Sequence, residues 1–412
     1  MMILFLFAIL IAFVHCDIRD DHEIKSLPGL TVTPKFKQYA GYLNVSTTRK
    51  LSYWLVESQN NTDNDPLLLW LNGGPGCSSF FGTIVENGPF RLDPGDDVEL
   101  VLKENPHAYN TFANVLYLES PAGVGFSVNE NPDFANDDNT TAIDNLTFLK
   151  AFLEVHTNFK GRDFYISGFS YAGAYVPTLA EKVLEAGDSL ALKLKGLAMG
   201  NAVTKNKWLD KFSLPAYAFH GLRGSLELGE WMKNYCPTGF DNYCGDEIEN
   251  APHVKDDGVN EYDISQKCGS DLACAGNGMN HYFNQPEVKK ALHFDDKPWV
   301  YCGSISYTEF YDMEPIVRGI LDKKIKVLYF YGNLDTVCPF IEGDLFTRKI
   351  GEVGVEGHWF VDGNYAGTKT VYPNNLIFTT IAGAGHPTAL GKPKQMANVL
   401  RKFINDISDW NE

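Results

Sequence analysis

Several features are scarce in this chain, and each scarcity narrows the reading. Basic residues are outnumbered, 35 Lys and Arg against 52 Asp and Glu, for a formal net charge of −17. A surface of that sign repels nucleic acid and anionic membranes, so neither is an expected partner. After the apolar run Met1–Val14 there is no second stretch long enough to cross a bilayer. No C-x-x-C pair and no histidine cluster with zinc spacing occurs, so no metal site and no cofactor is expected. Internal repeats and low-complexity tails are missing too.

What is present reads as a large secreted or lumenal protein. The 412 residues are 44% hydrophobic and 13% aromatic, enough for one large α/β domain with insertions. Met1–Val14 is short for a membrane span and fits the apolar part of a signal peptide, with cleavage near Cys16. Residues 1–16 are therefore assigned to a leader. Sequons begin at Asn44, Asn60, Asn139 and Asn145, expected glycosylation sites in such a compartment. Of the eight cysteines, removal of Cys16 leaves seven: Cys77, Cys236, Cys244, Cys268, Cys274, Cys302 and Cys338. Most should pair in an oxidising lumen, and an odd count leaves one free thiol.

Short apolar runs at Leu67–Leu71, Val115–Leu118, Phe164–Ile166, Leu194–Met199, Ile325–Phe330 and Leu376–Ile381 are continuous rather than alternating. Strands covered by helices on both faces have that character, which predicts an open, mostly parallel sheet. Alternation at Tyr39–Val45 and Leu51–Glu57 predicts an antiparallel hairpin at one edge. From about residue 206 the pattern becomes acidic, Gly- and Cys-rich. We read 206–274 as an insertion capping the carboxyl edge of the sheet, between core halves 17–205 and 275–412.

The chemistry is concentrated at FYISGFSYAGAYVP (164–177). A strand runs into a serine flanked by small residues and then into a helix, the pattern of a sharp turn that exposes a nucleophile at Ser170. A serine nucleophile needs a base, a carboxylate to orient the base, and donors for the oxyanion. Asp335 ends the apolar run 327–331 through Gly332 and Asn333; His386 follows the run 376–381 through a glycine-flanked turn. A lone loop histidine is usually structural, and an aspartate beside Gly and Asn is usually a turn residue. The order Ser, Asp, His after three buried strands weighs against chance, and it is the α/β-hydrolase order. The glycines of WLNGGPGCSS (70–79) would let backbone N–H groups approach an oxyanion, although a phosphate-binding turn or a tight bend would use them as well.

WLNGGPGCSS (70–79), ESPAGVGFS (119–127), FYISGFSYAGAYVPTLA (164–180) and GAGH (383–386) together resemble the serine carboxypeptidase family. LPGL (27–30), FKQYAGYL (36–43) and NQPEVKKALH (284–293) resemble its cathepsin A-like branch. The resemblance spans nearly the whole mature chain. It implies an α/β-hydrolase fold with an inserted cap, and a lysosomal or secreted serine-type carboxypeptidase that releases C-terminal residues from peptides through an acyl-enzyme. It implies Ser170 as nucleophile, His386 as base and Asp335 as its orienter, with the Gly74 and Tyr171 amides as oxyanion donors. Asn72 and Glu86 would hold the substrate carboxylate. Cys77 would pair with Cys302 and Cys338 would be free; we expect Cys236–Cys244 and Cys268–Cys274 as the other bonds. A homodimer or a complex with a lumenal glycosidase is implied in the same way. Ester hydrolysis or acyl transfer on the same triad, or a protective binding role with little catalysis, are the alternative functions.

Three departures stand out. The family elbow reads GESYAG, with a glutamate that shares a proton with a second one; here Phe169 takes its place. Pro387-Thr388-Ala389 replaces the usual Met-Val-Pro after the histidine. Only five residues separate Cys268 from Cys274, which leaves less room for an excised stretch and makes maturation into two chains less expected.

Overall fold

The computed structural model describes residues 18–92, 101–131, 133–208, 210–255, 258–266, 278–309 and 312–407. The leader, Cys268 and Cys274 lie outside the described residues. Ten strands of the central sheet follow one another in the chain. They are β1 (Gln38–Asn44), β2 (Arg49–Val56), β3 (Leu67–Leu71), β4 (Asn114–Leu118), β5 (Asp163–Phe169), β6 (Lys193–Gly200), β7 (Lys326–Gly332), β8 (Val355–Val361), β9 (Asn364–Val371) and β10 (Leu376–Ile381). Their spatial order is β1-β2-β4-β3-β5-β6-β7-β10-β9-β8, with the short strand Val128–Asn129 beside β2. The six central strands, β4 through β10 in that order, pair in parallel; the pairs at both ends are antiparallel.

Leu67-Leu68-Leu69-Trp70-Leu71 shows why the strands read as unbroken apolar runs. Leu67, Leu69 and Leu71 face one hydrophobic layer, whereas Leu68 and Trp70 face the other. Alternate side chains point to opposite faces, so a strand covered on both sides has no solvent-facing side and reads as mostly apolar. The first layer is closed by α1 (Asp138–Val155), through Phe148 and Phe152, and by α2 (Ala172–Ala186), through Tyr175 and Leu179. The second layer holds Phe80 and Phe81 and the buried side of α3 (Pro393–Ile404), including Met396, Leu400 and Phe403.

The β1–β2 hairpin is at one edge, as the alternation predicts. The β8–β9 hairpin at the other edge is additional. Its sequence signal was Asp362-Gly363: both residues have positive φ, 50° and 73°, between the paired Val361 and Asn364, the geometry of a tight two-residue hairpin turn. The chain leaves the sheet at Gly200 and rejoins it at Lys326. Between these two residues the described stretches divide: Trp208, Phe212, Trp231 and Ile248 join the first layer, whereas Met279, Tyr282, Phe283 and Trp299 join the second. Asn145 is a further correction. It is fully buried on α1, and its Oδ1 accepts from Ser120 Oγ at 2.7 Å. A glycan on that amide has no room, whereas Asn44, Asn60 and Asn139 are exposed.

The first described residues dock through a chain of rings. His22 Nδ1 and His156 Nε2 each lie 2.8 Å from the Tyr53 hydroxyl. His156 is fully buried against Phe152, and its Nδ1 has no partner. Burial, aided by the charges of Arg19 and His22, lowers its pKa to about 3. The unfolded chain binds a proton near pH 6.5 and the folded chain does not, so stability falls as pH drops below that value. Two pH units below it the loss is about 2–3 kcal/mol. His156→Gln is expected to flatten the acid-side decline of Tm by several degrees. Thermal melts of both proteins from neutral to acid pH check this, and parallel curves would contradict it.

Candidate active site

Three strand ends supply the site, and local backbone explains each. At the end of β5, Ser170 has φ 64°, a left-handed conformation that lifts its side chain out of the strand before α2 starts. Ser170 N donates to Gly200 O at 2.9 Å and its own O accepts from Val203 N at 3.0 Å, so the end of β6 locks this turn from behind. A Cβ at Gly168 would overlap the Leu71 carbonyl, and one at Gly73 would overlap the Tyr171 amide nitrogen. The glycines therefore allow the loop after β3 to lie against the serine turn. That contact brings the Gly73-Gly74 loop beside the Tyr171 amide.

Asp335, beyond β7, and His386, beyond β10, are both sealed from solvent. His386 Nδ1 lies 2.7 Å from Asp335 Oδ2. The carboxylate is held by three further donors: Val337 N to Oδ1 at 2.9 Å, and Cys338 N at 3.2 Å and Asn201 Nδ2 at 2.7 Å to Oδ2. Four donors on two oxygens define which oxygen faces the imidazole. Aromatic rings flank the histidine, Phe169 at 5.5 Å and Tyr262 at 5.3 Å between centroids, each tilted by 70°.

Ser170, His386, Gly73, Gly74, Phe169, Tyr171 and Cys338 line one cleft of about 250 Å³, completed by residues that include Asp210, Tyr262, Tyr301 and Glu309. Its apolar and acidic lining offers no cation cluster for a phosphate. The cleft can hold an acyl group beside a serine, with an imidazole oriented by a carboxylate.

Asn72 and Glu86, expected to meet a substrate carboxylate, are not on this lining. Asn72 is fully buried; its Oδ1 accepts from Trp70 Nε1 at 2.8 Å and its Nδ2 has no aligned acceptor. Glu86 is also enclosed, one oxygen without a partner, and burial raises its pKa to about 8 against the opposing charge of Arg91. An aromatic cluster that includes Trp70, the partner of Asn72, reaches the cleft. Phe169 packs 6.2 Å from Trp70 and 6.3 Å from Phe81, and Phe81 stacks 4.9 Å from Tyr301.

Cys77 is joined to Cys302, tying the glycine loop to the chain between β6 and β7, and Cys236 to Cys244. Cys338 is a buried free thiol whose pKa is pushed well up, by burial first and then by the Asp335 charge.

Two residues that sequence reasoning missed join the site. Asn201 directly follows β6, and a polar residue at the carboxyl end of the strand beside the elbow was the available signal. Tyr262 lies in the weakly patterned cap, which offered no signal. Its segment is a strap over both catalytic loops: Tyr262 O accepts from His386 N at 2.7 Å, Glu261 O from Thr336 N at 2.9 Å, and Leu334 O from Ile264 N at 3.1 Å.

Comparison with known proteins gives the family. The family model for serine carboxypeptidases matches residues 28–406. The lysosomal protective protein of Mus musculus is 30% identical, covering 94% of each chain. A serine carboxypeptidase of Caenorhabditis elegans is 32% identical, covering 93% of each. Among solved structures, a prohormone-processing carboxypeptidase from Saccharomyces cerevisiae shares the fold, with TM-score 0.77 at 22% identity over 94% of this chain and 96% of its own. Among the described residues no helix is long and apolar enough to cross a membrane, and no group of three or more His, Cys, Asp or Glu side chains could hold a metal ion.

Proposed function

The chain belongs to the serine carboxypeptidase family and is a serine-type carboxypeptidase with peptide substrates; on that premise we propose how its residues divide the work. Ser170 Oγ attacks the last peptide carbonyl while His386 Nε2 takes the hydroxyl proton. Asp335 holds Nδ1–H and stabilises the imidazolium. The Gly74 and Tyr171 amides receive the oxyanion. His386 then protonates the leaving amine, the C–N bond breaks, and the released amino acid departs. Water, deprotonated by the same histidine, cleaves the acyl-enzyme and regenerates Ser170. The observation that carries this reading is the sealed His386–Asp335 pair, 2.7 Å apart, in one cleft with a left-handed Ser170.

Recognition of the substrate's carboxylate is weakened in this reading. Phe169 offers no donor where the family pattern has a glutamate, and its ring packs 6.2 Å from Trp70, the residue bonded to Asn72. Glu86 alone, kept neutral by burial up to about pH 8, has no second carboxyl to share a proton with. One lost charge-assisted hydrogen bond corresponds to roughly 10- to 150-fold in binding. Phe169→Glu is therefore expected to raise the preference for a free acid over the matching amide by about that factor, and to steepen the acid optimum. The measurement is kcat/KM on a blocked dipeptide, its amide and its ester from acid to neutral pH. A parent enzyme that already has a steep acid optimum and strong free-acid preference would refute the reading. Efficient turnover of the ester and transfer to an alcohol, with the dipeptide untouched, would favour an esterase or acyltransferase.

We place the protein in the lysosome or outside the cell, on the apolar leader Met1–Val14, the exposed sequons at Asn44, Asn60 and Asn139, and the lysosomal name of the mouse relative.

A further inference from the structure

Asn201 makes more contacts with the catalytic loops than a strand-end residue needs. It is fully buried and has φ 35°, which turns its side chain away from β6 and across the exit of β7. Its Nδ2 reaches Asp335 Oδ2 at 2.7 Å, Cys338 O at 3.2 Å and Gly332 O at 3.3 Å. Its Oδ1 accepts from Gly332 N at 2.8 Å, and its backbone N donates to Phe330 O at 2.9 Å. The position thus requires one acceptor and one donor in a planar group of this size. A carboxylate has no donor, an aliphatic side chain has neither, and a lysine has no acceptor.

The donor bond falls on Oδ2, the oxygen that also receives His386 Nδ1. Without it that oxygen keeps only the longer Cys338 N–H as a second donor, and the carboxylate can rotate about its Cβ–Cγ bond. We propose that Asn201 is a positioning residue of the catalytic triad, selecting the Asp335 rotamer and moderating the charge presented to His386. The inference rests on the triad reading above and extends it to a fourth residue that never touches substrate.

The isosteric substitution Asn201→Asp separates this role from a merely structural one. Protonated, the introduced carboxyl can accept from Gly332 N–H and donate its O–H to Asp335, as the amide does. Ionised, it can only repel Asp335. The titratable groups facing this spot from the neighbouring elements are Tyr331 on β7, Asp335 and Cys338 on the β7 loop, His386 on the β10 loop, Glu342 on the following helix, and Asp210 and Tyr262 from the cap side. All of these are common to parent and variant, so the difference between the two pH profiles reports the introduced group.

The expected result is kcat close to the parent's at acid pH and a fall of roughly 10- to 100-fold as the introduced carboxyl ionises, with KM changed little. Asn201→Ala should lose a similar factor at all pH values. The full-length chain is used, and folding is checked by thermal melts at acid pH, where Asn201→Asp can keep the bonds to Gly332 N and Asp335. The rate of Ser170 labelling by an organophosphonate is measured in parallel. A parent that is not labelled refutes the triad reading itself. A labelled parent with an Asn201→Asp profile superimposable on its own overturns the positioning role alone. Failure of Asn201→Asp to fold even at acid pH would also overturn it, since it would assign Asn201 to stability instead.

Discussion

Replacing Ser170 with alanine is expected to lower kcat on a blocked dipeptide by roughly 10⁴- to 10⁶-fold, with KM little affected. The serine side chain occupies the one left-handed position between β5 and α2, and its backbone bonds to Gly200 and Val203 do not involve Oγ. Alanine therefore leaves the turn and the cleft in place and removes only the nucleophile. What survives should be the small acceleration that the Gly74 and Tyr171 amides and substrate binding provide. Organophosphonate labelling should vanish together with turnover. Peptide hydrolysis that persists within tenfold of the parent would mean that another group does the chemistry, and the assignment of the cleft would be wrong.

Asp335→Asn should cost about 10⁴-fold in kcat and also destabilise the fold. All four of the groups that reach this carboxylate are donors: Val337 N, Cys338 N, Asn201 Nδ2 and, in the required tautomer, His386 Nδ1. An amide oxygen can satisfy some of them, but the amide nitrogen must meet another donor at a fully buried position. Either a buried bond is lost, at about 1–3 kcal/mol, or the nitrogen turns to His386. The second arrangement makes Nδ1 the acceptor and puts the proton on Nε2, where the base must be free. The check is kcat and Tm measured together on one preparation. A variant with parental kcat would show that His386 is oriented without Asp335, for instance by the Tyr262 carbonyl and the flanking rings alone.

These two effects fall on residues that were legible in the chain. Strand, elbow and strand-end acid and base were recognisable because local rules govern them. A doubly covered strand must be mostly apolar, a strand-to-helix serine turn must be flanked by small residues, and parallel strands deliver their carboxyl ends to one rim. Leu67–Leu71 and Leu376–Ile381 coincide with their apolar runs for that reason. The family motifs added which amides and which cysteines to examine.

The surroundings were not legible, because they depend on side chains that come together from distant segments. Asn145 looked like any other sequon until its place on the inner face of α1 buried its amide. Asn72 and Glu86 keep the family's identities, yet neither lines the cleft, where Phe169 and Tyr301 stand instead. The single substitution at Phe169 hinted at this, but only packing shows the ring also bearing on His386. Asn201 and Tyr262 belong to a strand end and a cap with little pattern of their own; β7 and the two catalytic loops give them their roles. The sequence by itself thus determined the sheet, the serine turn and the order of the acid and base, since each follows from neighbours along the chain. The tertiary structure alone decided what holds Asp335, what flanks His386 and what the substrate's end will meet, since those are contacts across the fold with no local signature.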